Sequence, residues 1–481
     1  MSVSNLECKQ SLVESEKQLS LQPLIQGAQK ISLIKSEGLI YPASSSDDDI
    51  KVEEEPKSTV LVATAQILKS GIGSGVLFLP STFQACGITL SSIFMVLCAI
   101  VCYFCWSLIT QIIRFQESTD TKDPTNRHLT LDEAGRKIFG KRFQIFIQVC
   151  TYIYSYSTCF GYSIFIYQST EDTIPNNMVT MAIMYAIYLP FSMYKKINRL
   201  YLLTYMALAA NVITLVFIVG KSSYIIGTTN VNFPQLTQFN FSQLPLQFGV
   251  FSFAYDINGV YTEIHASMKN KNQFDKVLQY YLTIFTIMGI LVGLLGYVAF
   301  GEDTDAVIFN NIGSMDGVGT ALAFLYSIAE LASILLYVFC VVKFLDKTIN
   351  KYILKDSTKC MTFFQEFLVR SILFFSFAFL GIYVTQINAI FNIMGCVFCT
   401  ILSYACPIFL YYKARKIQDN ILNSNQVEDC EKGESSEKPN IILLNKSNWI
   451  YVLSGFCLIF GLLGGISGLV SSIISLQESG F

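Results

Sequence analysis

The chain has 481 residues, of which 52% are hydrophobic and only 14% are charged, and its mean hydropathy is +0.47. A soluble globular protein has about 25% charged residues, so this composition indicates a membrane protein. The net charge of −2 provides no broad basic surface and excludes nucleic acid as an expected partner.

The cysteines and histidines give no sign of a metal or cofactor site. Most of the 14 cysteines lie inside apolar runs, such as Cys98, Cys102 and Cys105, where we expect them to pack as small apolar residues. The two histidines, His128 and His265, lack partners at the spacing that zinc requires. We therefore expect no metal and no cofactor, and the lack of a nucleophile–base motif argues against an enzyme.

The first 58 residues differ in composition from the rest of the chain. They are polar and contain acidic runs at 47–49 and 53–55, without the apolar core of a signal peptide. Such a segment buries too little apolar surface to fold, which predicts a disordered cytosolic tail over residues 1–58. We assign residues 59–476 to a transmembrane domain and residues 477–481 to a short outer tail.

About eleven segments are long and apolar enough to cross a membrane, which requires about 20 mostly apolar residues. The predicted fold class is therefore an all-α membrane protein. These segments begin near Val60, Ile88, Phe143, Met178, Tyr201, Leu246, Val277, Gly319, Phe367, Asn388 and Trp449.

Basic residues collect in alternate connections between these segments, as the positive-inside rule requires. Four lie at 136–142, three at 195–199 and three at 413–416. The opposite connections include the acidic segment GEDTDAVIFNN (301–311) and a glycosylation sequon at Asn240. We therefore place the amino end inside, and expect Asn240, but not the inner Asn445, to be glycosylated.

The first predicted span contains the unusual stretch LKSGIGSGVLFLP (68–80). Lys69 lies about eleven residues into the span, about 16 Å deep at 1.5 Å per residue. A lysine at mid-bilayer depth costs at least about 2.5 kcal/mol, so we expect it to face protein or a water-filled cavity. The alternative is a tilted helix, along which the side chain reaches the inner interface.

The glycines of this stretch allow two interpretations. In one, residues 70–75 are unwound, and their freed backbone N–H groups face an anion in a cavity. In the other, the small residues let a second helix approach closely.

A second interruption, FSFAYDINGVYTEIHASMKN (251–270), occurs in the sixth predicted span. Asp256, Asn258 and Gly259 are poor helix formers at a similar depth, and an aspartate there is costly in lipid. Glu263 and His265 are expected nearer the inner surface, in contact with solvent. Breaks in spans one and six indicate a five-plus-five inverted repeat with a binding site at the midplane.

These motifs resemble those of the amino acid/auxin permease family, and most closely its proton-coupled amino acid transporter branch. LKSGIGSGVLFLPSTFQACG is similar to the first-helix signature of the family, and FSFAYDINGVYTEIHASMKN to its sixth helix. GLLGYVAFGEDTDAVIFNNI (293–312) and SYACPIFLYYK (403–413) also match in character. The resemblance extends from about Val60 to Ile474.

The resemblance implies eleven helices, of which the first ten form the inverted-repeat (LeuT/APC-like) fold, and transport of small amino acids. It also implies which residues bind the substrate. The carboxylate side would comprise Ser70, Gly71, Gly73, Ser74 and Gly75, and the amino-group side Ala254, Tyr255 and Asp256.

The sequence departs from the family pattern at positions that bear on ion coupling. Gln66 stands where proton-coupled relatives commonly have histidine, and Asp256 replaces the usual glutamate. Lys69 falls where sodium-coupled relatives tend to have asparagine. Two unit charges about 4 Å apart repel by about 4 kcal/mol at an effective dielectric of about 20, so a fixed ammonium disfavours sodium.

We therefore expect a secondary active transporter of small neutral amino acids, proton-coupled or uniport, in the plasma membrane or an acidic organelle such as a lysosome or vacuole. Its partners would be the amino acid, protons and the lipid bilayer. Coupling candidates are Lys69 and Asp256, expected to share one water-accessible cavity, and Glu330, which Ser327 and Ser333 could alternatively satisfy. The competing functions are an amino acid sensor on the same fold and an ion channel, although a channel would need a regular pore.

Overall fold

Helices make up most of the described chain. The computed structural model describes residues 58–119, 129–171, 173–193, 201–228, 236–313, 317–352, 363–383, 387–432, 443–444 and 447–478. Residues 1–57 of the predicted tail, Asn445 and residues 479–481 lie outside the described residues. The last helix extends to Glu478, two residues into the predicted outer tail.

The α-helices are numbered here in chain order, and four non-α helices interrupt the series, two of them single 3₁₀ turns at Lys271–Gln273 and Gly301–Asp303. A 3₁₀ helix, Ser74–Phe78, follows α1, and a π-helix, Gly395–Ala405, follows α14. The α-helices are α1 (Val60–Gly71), α2 (Leu79–Cys86), α3 (Ile88–Thr119), α4 (Leu131–Phe139), α5 (Lys141–Thr170), α6 (Asn177–Ser192), α7 (Tyr201–Thr228), α8 (Leu244–Tyr255), α9 (Tyr261–Ser267), α10 (Phe274–Phe300), α11 (Ile308–Gly313), α12 (Gly317–Tyr352), α13 (Phe363–Tyr383), α14 (Ile387–Met394), α15 (Cys406–Lys432) and α16 (Asn448–Glu478).

The predicted spans correspond to helices. Within the described ranges, seven helices are long and apolar enough to cross a membrane, and the bent pair Val60–Gly71 and Gly75–Cys86 forms an eighth. The remaining predicted spans correspond to α5, to the shorter α6, and to α8 followed by α9. Each predicted start lies within four residues of the first residue of a helix. The chain is thus a multi-pass integral membrane protein.

The last helix, α16, packs into the bundle through small residues. It contacts α8 and the π-helix, and a side chain at Gly464 would overlap the Phe248 ring. Asn392 fixes this junction, because its amide donates to Ser472 (2.5 Å) and its oxygen accepts from the Gly249 backbone N–H (2.7 Å). Span ten is therefore joined to spans six and eleven by buried hydrogen bonds.

The inner end, where the basic connections collect, is closed by a short backbone pairing that we call the inner clasp. The N–H of Ser58 donates to the Ser267 carbonyl (2.9 Å), and the N–H of Lys269 donates to the Ser58 carbonyl (3.0 Å). Nearby, Arg114 pairs with Asp275 at 2.9 Å. These contacts join the inner ends of spans one and six, and of spans two and seven.

Candidate functional site

The first span breaks where the sequence predicts, but over a shorter stretch. The Ile72 N–H still donates to the Leu68 carbonyl (2.7 Å), which keeps Ser70 and Gly71 in the last turn of α1. Gly73 is extended (φ −109°, ψ −161°), and Ser74 begins the 3₁₀ helix. The predicted unwound stretch of 70–75 is therefore too long. The break is confined to Ile72 and Gly73, and the two halves meet at 51°.

Side chains from other spans bind the backbone groups that this break exposes. Tyr326 of α12 donates its hydroxyl to the Gly73 carbonyl (2.9 Å). Asn211 of α7 donates its amide to the Ile72 carbonyl (2.5 Å). In the first hydrogen bond of the 3₁₀ helix, the Val76 N–H donates to the Gly73 carbonyl. The N–H groups of Ser74 and Gly75 come before this bond and have no partner within the helix, as at any helix start.

Lys69 lies next to the break and is paired with Glu330. Their side chains are 1% and 0% exposed, and Nζ lies 3.8 Å from Oε1. The ammonium also donates to Ser333 (2.8 Å), and the Asn211 amide donates to Glu330 Oε1 (3.3 Å). The interpretation that Lys69 reaches the inner interface is therefore wrong, because its charge is held inside the protein.

One of the two carboxylate oxygens of Glu330 is buried without a hydrogen bond within the described residues. This oxygen, Oε2, lies 3.5 Å from the place that a Cβ on Gly73 would take. The Ser327 hydroxyl donates to the Ala323 carbonyl (2.9 Å), so the structure does not give it to Glu330. A buried, partly satisfied carboxylate beside an irregular backbone is an arrangement that calls for another donor.

The second break separates α8 from α9 at Asp256. Asp256 is 3% exposed and accepts hydrogen bonds from the Ser403 hydroxyl (2.7 Å) and the Asn258 amide (2.5 Å). Ser403 belongs to the π-helix. Lys69 and Asp256 therefore have different partners, Glu330 for one and Ser403 for the other, and the water-accessible cavity that we expect them to share stays a prediction.

The two broken spans contact each other directly. A Cβ on Gly75 would lie 3.3 Å from Cα of Ala254, and one on Gly71 would overlap the ring of Tyr281. Tyr281 also donates its hydroxyl to the Tyr255 carbonyl (3.0 Å). All three glycines are therefore closely packed: Gly75 lies against backbone, whereas a Cβ on Gly71 or Gly73 would overlap a tyrosine hydroxyl, that of Tyr281 or Tyr162 respectively.

Tyr255 and His265 differ from their expected surroundings. The Tyr255 hydroxyl donates to the Met95 carbonyl (3.0 Å), away from the break. His265 is 1% exposed and lies edge-on to Phe274 at 4.9 Å between ring centroids. The expectation that His265 contacts solvent is wrong, because α10 covers it. The side chains of Ser74 and Glu263 are not described.

Three aromatic rings lie beside the breaks. Phe391 stacks on Phe253 at 4.5 Å between centroids and lies 5.1 Å from Phe78. A cavity of about 670 Å³ lies next to Asn392, the residue after Phe391, and is lined by residues from the predicted outer ends of several spans. We call it the outer cavity. None of the predicted substrate residues lines this outer cavity.

Five side chains that lie beside the breaks were not predicted from the sequence: Tyr162, Asn211, Tyr326, Phe391 and Ser403. One of them carried a signal, since Asn211 is a lone amide in the apolar run LAANVITLVF of span five. The others are aromatic or hydroxyl residues that do not stand out in a transmembrane sequence.

Comparison with solved structures identifies the fold. The chain is similar to a substrate-bound, outward-open Na⁺-coupled sialic acid symporter, with a TM-score of 0.51 and 12% identity over 87% of this chain and 90% of that one. It is also similar to the manganese transporter of Eremococcus coleocola, with a TM-score of 0.53 and 13% identity over 91% and 93%. At this identity the likeness shows the fold alone, and it confirms the predicted LeuT-like class.

Sequence relatives include transporters from fungi and plants. The chain is 24% identical over 370 residues to vacuolar amino acid transporter 3 of Saccharomyces cerevisiae, covering 74% of this chain and 52% of the relative. It is 22% identical over 388 residues to amino acid transporter ANT1 of Arabidopsis thaliana, covering 76% and 89%. The chain thus spans about half the length of the yeast relative.

The family model for transmembrane amino acid transporter proteins matches residues 56–429, which include both broken spans and the Lys69–Glu330 pair. This agrees with the resemblance to the amino acid/auxin permeases. The chain therefore belongs to the transmembrane amino acid transporter family.

Proposed function

We propose that this chain is a secondary active transporter of small neutral amino acids, which binds its substrate between the two broken spans. The observation that carries the proposal is the buried Lys69–Glu330 pair beside the break at Gly73. Burying two charges costs free energy even when they pair with each other, so we take this pair to have a function. The family membership and the inverted-repeat fold support transport as that purpose.

The substrate carboxylate would bind on the side of Ser70, Gly71, Gly73, Ser74 and Gly75. Gly73 and Ser74 are the best placed, because Gly73 lies in the break itself and Ser74 begins the next helix, whereas Gly71 is still part of α1 and Gly75 packs against the Ala254 backbone. The amino group would lie towards Ala254, Tyr255 and Asp256. Backbone N–H groups at a helix start favour an anion, which supports this orientation of the substrate.

Glu330 is the coupling group that we favour over Asp256. A proton arriving on Glu330 would neutralise the partner of Lys69 and weaken the contact between α1 and α12. The fixed ammonium of Lys69 would repel a sodium ion at this position. Asp256 is the second candidate, since its oxygens already accept three hydrogen bonds from the protein.

The test is uptake of labelled amino acids into proteoliposomes that contain the purified chain, with sodium and pH gradients set separately. We expect uptake of small neutral amino acids that an inward proton gradient accelerates and a sodium gradient does not. Glu330→Gln should remove the acceleration, whereas the control Asp303→Asn, at an exposed acid, should not. A requirement for sodium would contradict the proposal. Unchanged proton dependence in Glu330→Gln would direct attention to Asp256→Asn.

One observation favours a sensor as the second candidate function. The inner clasp joins Ser58, at the end of the predicted tail, to the inner half of span six. Movement of α9 on substrate binding would reach the tail through this contact. Saturable binding of an amino acid without uptake by the same preparation would favour the sensor.

The names of the fungal relatives suggest a vacuolar membrane. We propose the membrane of a vacuole or comparable acidic organelle as the location, with the plasma membrane as the alternative. Localisation of the tagged chain against vacuolar and surface markers would decide between them.

A further inference from the structure

The outer cavity is separate from the proposed substrate site. Gln247 of α8, Asn388 and Asn392 of α14 and Ser472 of α16 are among its lining residues. Asn392 is 2% exposed, and the residue before it, Phe391, stacks on Phe253 next to the break in span six. No residue of 68–79 or 251–260 is among those that line the cavity, so a molecule in this cavity would lie outside the breaks.

The lining of the cavity has a one-sided charge. Within the described part of the chain it includes two carboxylates, Glu171 and Asp305, and no lysine, arginine or histidine. Both carboxylates are in exposed residues. Because a cleft concentrates the field of like charges on its walls, this cavity attracts cations and gives an anionic group no compensating partner.

Amides supply hydrogen-bond acceptors beside these carboxylates. Six asparagine and glutamine residues line the cavity, and Asn392 is held rigidly by Gly249 and Ser472. The amide oxygen of Asn388 has no hydrogen-bond partner among the described residues. A rotation of this side chain that points the oxygen into the cavity would therefore break no hydrogen bond of that oxygen. Carboxylate and amide oxygens together match the donors of an ammonium or guanidinium group.

The apolar part of the lining suits a hydrocarbon stem. Ile164, Leu246 and Ile382 line the same cavity, and lysine and arginine side chains bury their methylene stems against such surfaces. The volume of about 670 Å³ lies within the range of small-molecule sites, about 300–1,000 Å³.

We propose that the outer cavity binds a basic amino acid, of the arginine or lysine class, through its side-chain cation. The ligand's net positive charge distinguishes it from the zwitterionic substrate proposed for the breaks, whose carboxylate would find no cation here. Such a site would hold basic amino acids on the outer side, apart from the neutral substrate proposed for the breaks. The inference goes beyond the proposed function, and binding itself does not require transport.

The test is equilibrium binding of labelled arginine to the purified chain in detergent, at low and at high salt. We expect saturable binding that salt weakens. Agmatine, the analogue of arginine without a carboxylate, should displace the labelled arginine at least as well as unlabelled arginine does. Alanine should not displace it. Because uptake is not measured, failure of this test is distinct from failure of the transport proposal.

Two variants and a control locate the site. The double variant Glu171→Gln, Asp305→Asn should weaken arginine binding about tenfold, at about threefold for each exposed carboxylate. Asn388→Asp should strengthen it, a gain that misfolding could not produce. Asp303→Asn, an exposed acid of the same connection outside the cavity lining, should leave binding unchanged.

Several outcomes would overturn the proposal. They are absence of saturable arginine binding, displacement by alanine as effective as by arginine, and full binding by the double variant. Displacement by calcium chloride at an ionic strength where sodium chloride has no effect would identify a divalent-cation site instead.

Discussion

Replacing Glu330 by glutamine leaves the Lys69 ammonium buried without its counter-charge. At the observed 3.8 Å, the attraction between the two charges is about 4 kcal/mol at an effective dielectric of about 20. Removing one partner of a buried pair typically costs about 3–5 kcal/mol, because the remaining charge stays desolvated. The hydrogen bond from Lys69 to Ser333 remains, so we expect a loss near 3 kcal/mol, at the lower end of that range.

The neutral double variant is the decisive comparison. Lys69→Met removes the stranded ammonium, so Lys69→Met, Glu330→Gln should be more stable than Glu330→Gln alone. A double-mutant cycle over the four proteins isolates the pairwise energy, which we expect to be about 2–3 kcal/mol.

The assay is thermal unfolding of the detergent-solubilised proteins, followed by size-exclusion chromatography of the protein that stays folded. By extrapolation of the size dependence seen in smaller domains, the single variant should lose roughly 5 °C. The double variant should recover at least half of that loss. Additive losses in the double variant would refute the reasoning, because they would mean that Lys69 and Glu330 do not stabilise each other.

Three further predictions concern the first break, the topology and the inner clasp. Gly73→Ala places a Cβ 2.7 Å from the Tyr162 hydroxyl and should lower uptake at least about tenfold, whereas Gly220→Ala, with open space around it, should not. Full uptake by Gly73→Ala would contradict a substrate site at this backbone. Asn240→Gln should remove one glycan, seen as faster migration on a gel, and Asn445→Gln should change nothing; loss of a glycan in the second variant would invert the topology. Ser58→Pro removes the N–H that donates to Ser267, a bond worth about 1 kcal/mol. Combined with Ser70→Cys, it should raise about fivefold the rate at which a thiol reagent added on the inner side modifies the introduced thiol. Ser58→Ala keeps the N–H, so an equal increase there would exclude the backbone bond as the cause.

The positions of the helices and of both breaks could be predicted from the sequence because local composition determines them. Apolar runs of sufficient length have few alternatives in a membrane. The Ser-Gly-Ile-Gly-Ser-Gly run and the Asp256–Gly259 stretch interrupt such runs with residues that favour other backbone conformations. The length of the first break was overestimated, because one remaining bond from Ile72 to Leu68 extends the helix through two residues of poor intrinsic preference.

The partners of the charged residues could not be predicted in the same way. Lys69, Asp256 and Glu330 all lie in spans, but depth along a helix does not fix which face points to which neighbour. Helix packing decides that Lys69 lies beside α12 and that Asp256 lies beside the π-helix. A π-helix of eleven residues also changes the direction in which every later residue of the span points, and no feature of its sequence indicated this change.

The contacts around the breaks connect the halves of the two spans in matched pairs. The inner halves, α1 and α9, are joined by the inner clasp. The outer halves contact each other where Gly75 lies against Ala254. Each break therefore separates an inner pair from an outer pair, which is the arrangement needed for one pair to move as a unit relative to the other.

The hydrogen bonds at the first break suit such a movement. The Ile72 carbonyl is bound by the side chain of Asn211. The Gly73 carbonyl accepts from the Tyr326 hydroxyl as well as from the Val76 N–H of the 3₁₀ helix. Side-chain bonds can be exchanged for bonds to water or substrate, at a small net cost of about 1 kcal/mol each, without unwinding a helical turn. Because Asn211 also donates to Glu330, a change in the charge of that carboxylate alters a bond to the hinge itself. Glu330, the coupling group that we propose, and the backbone at the first break are thus linked by one amide, so we expect proton binding at Glu330 and bending at the break to influence each other.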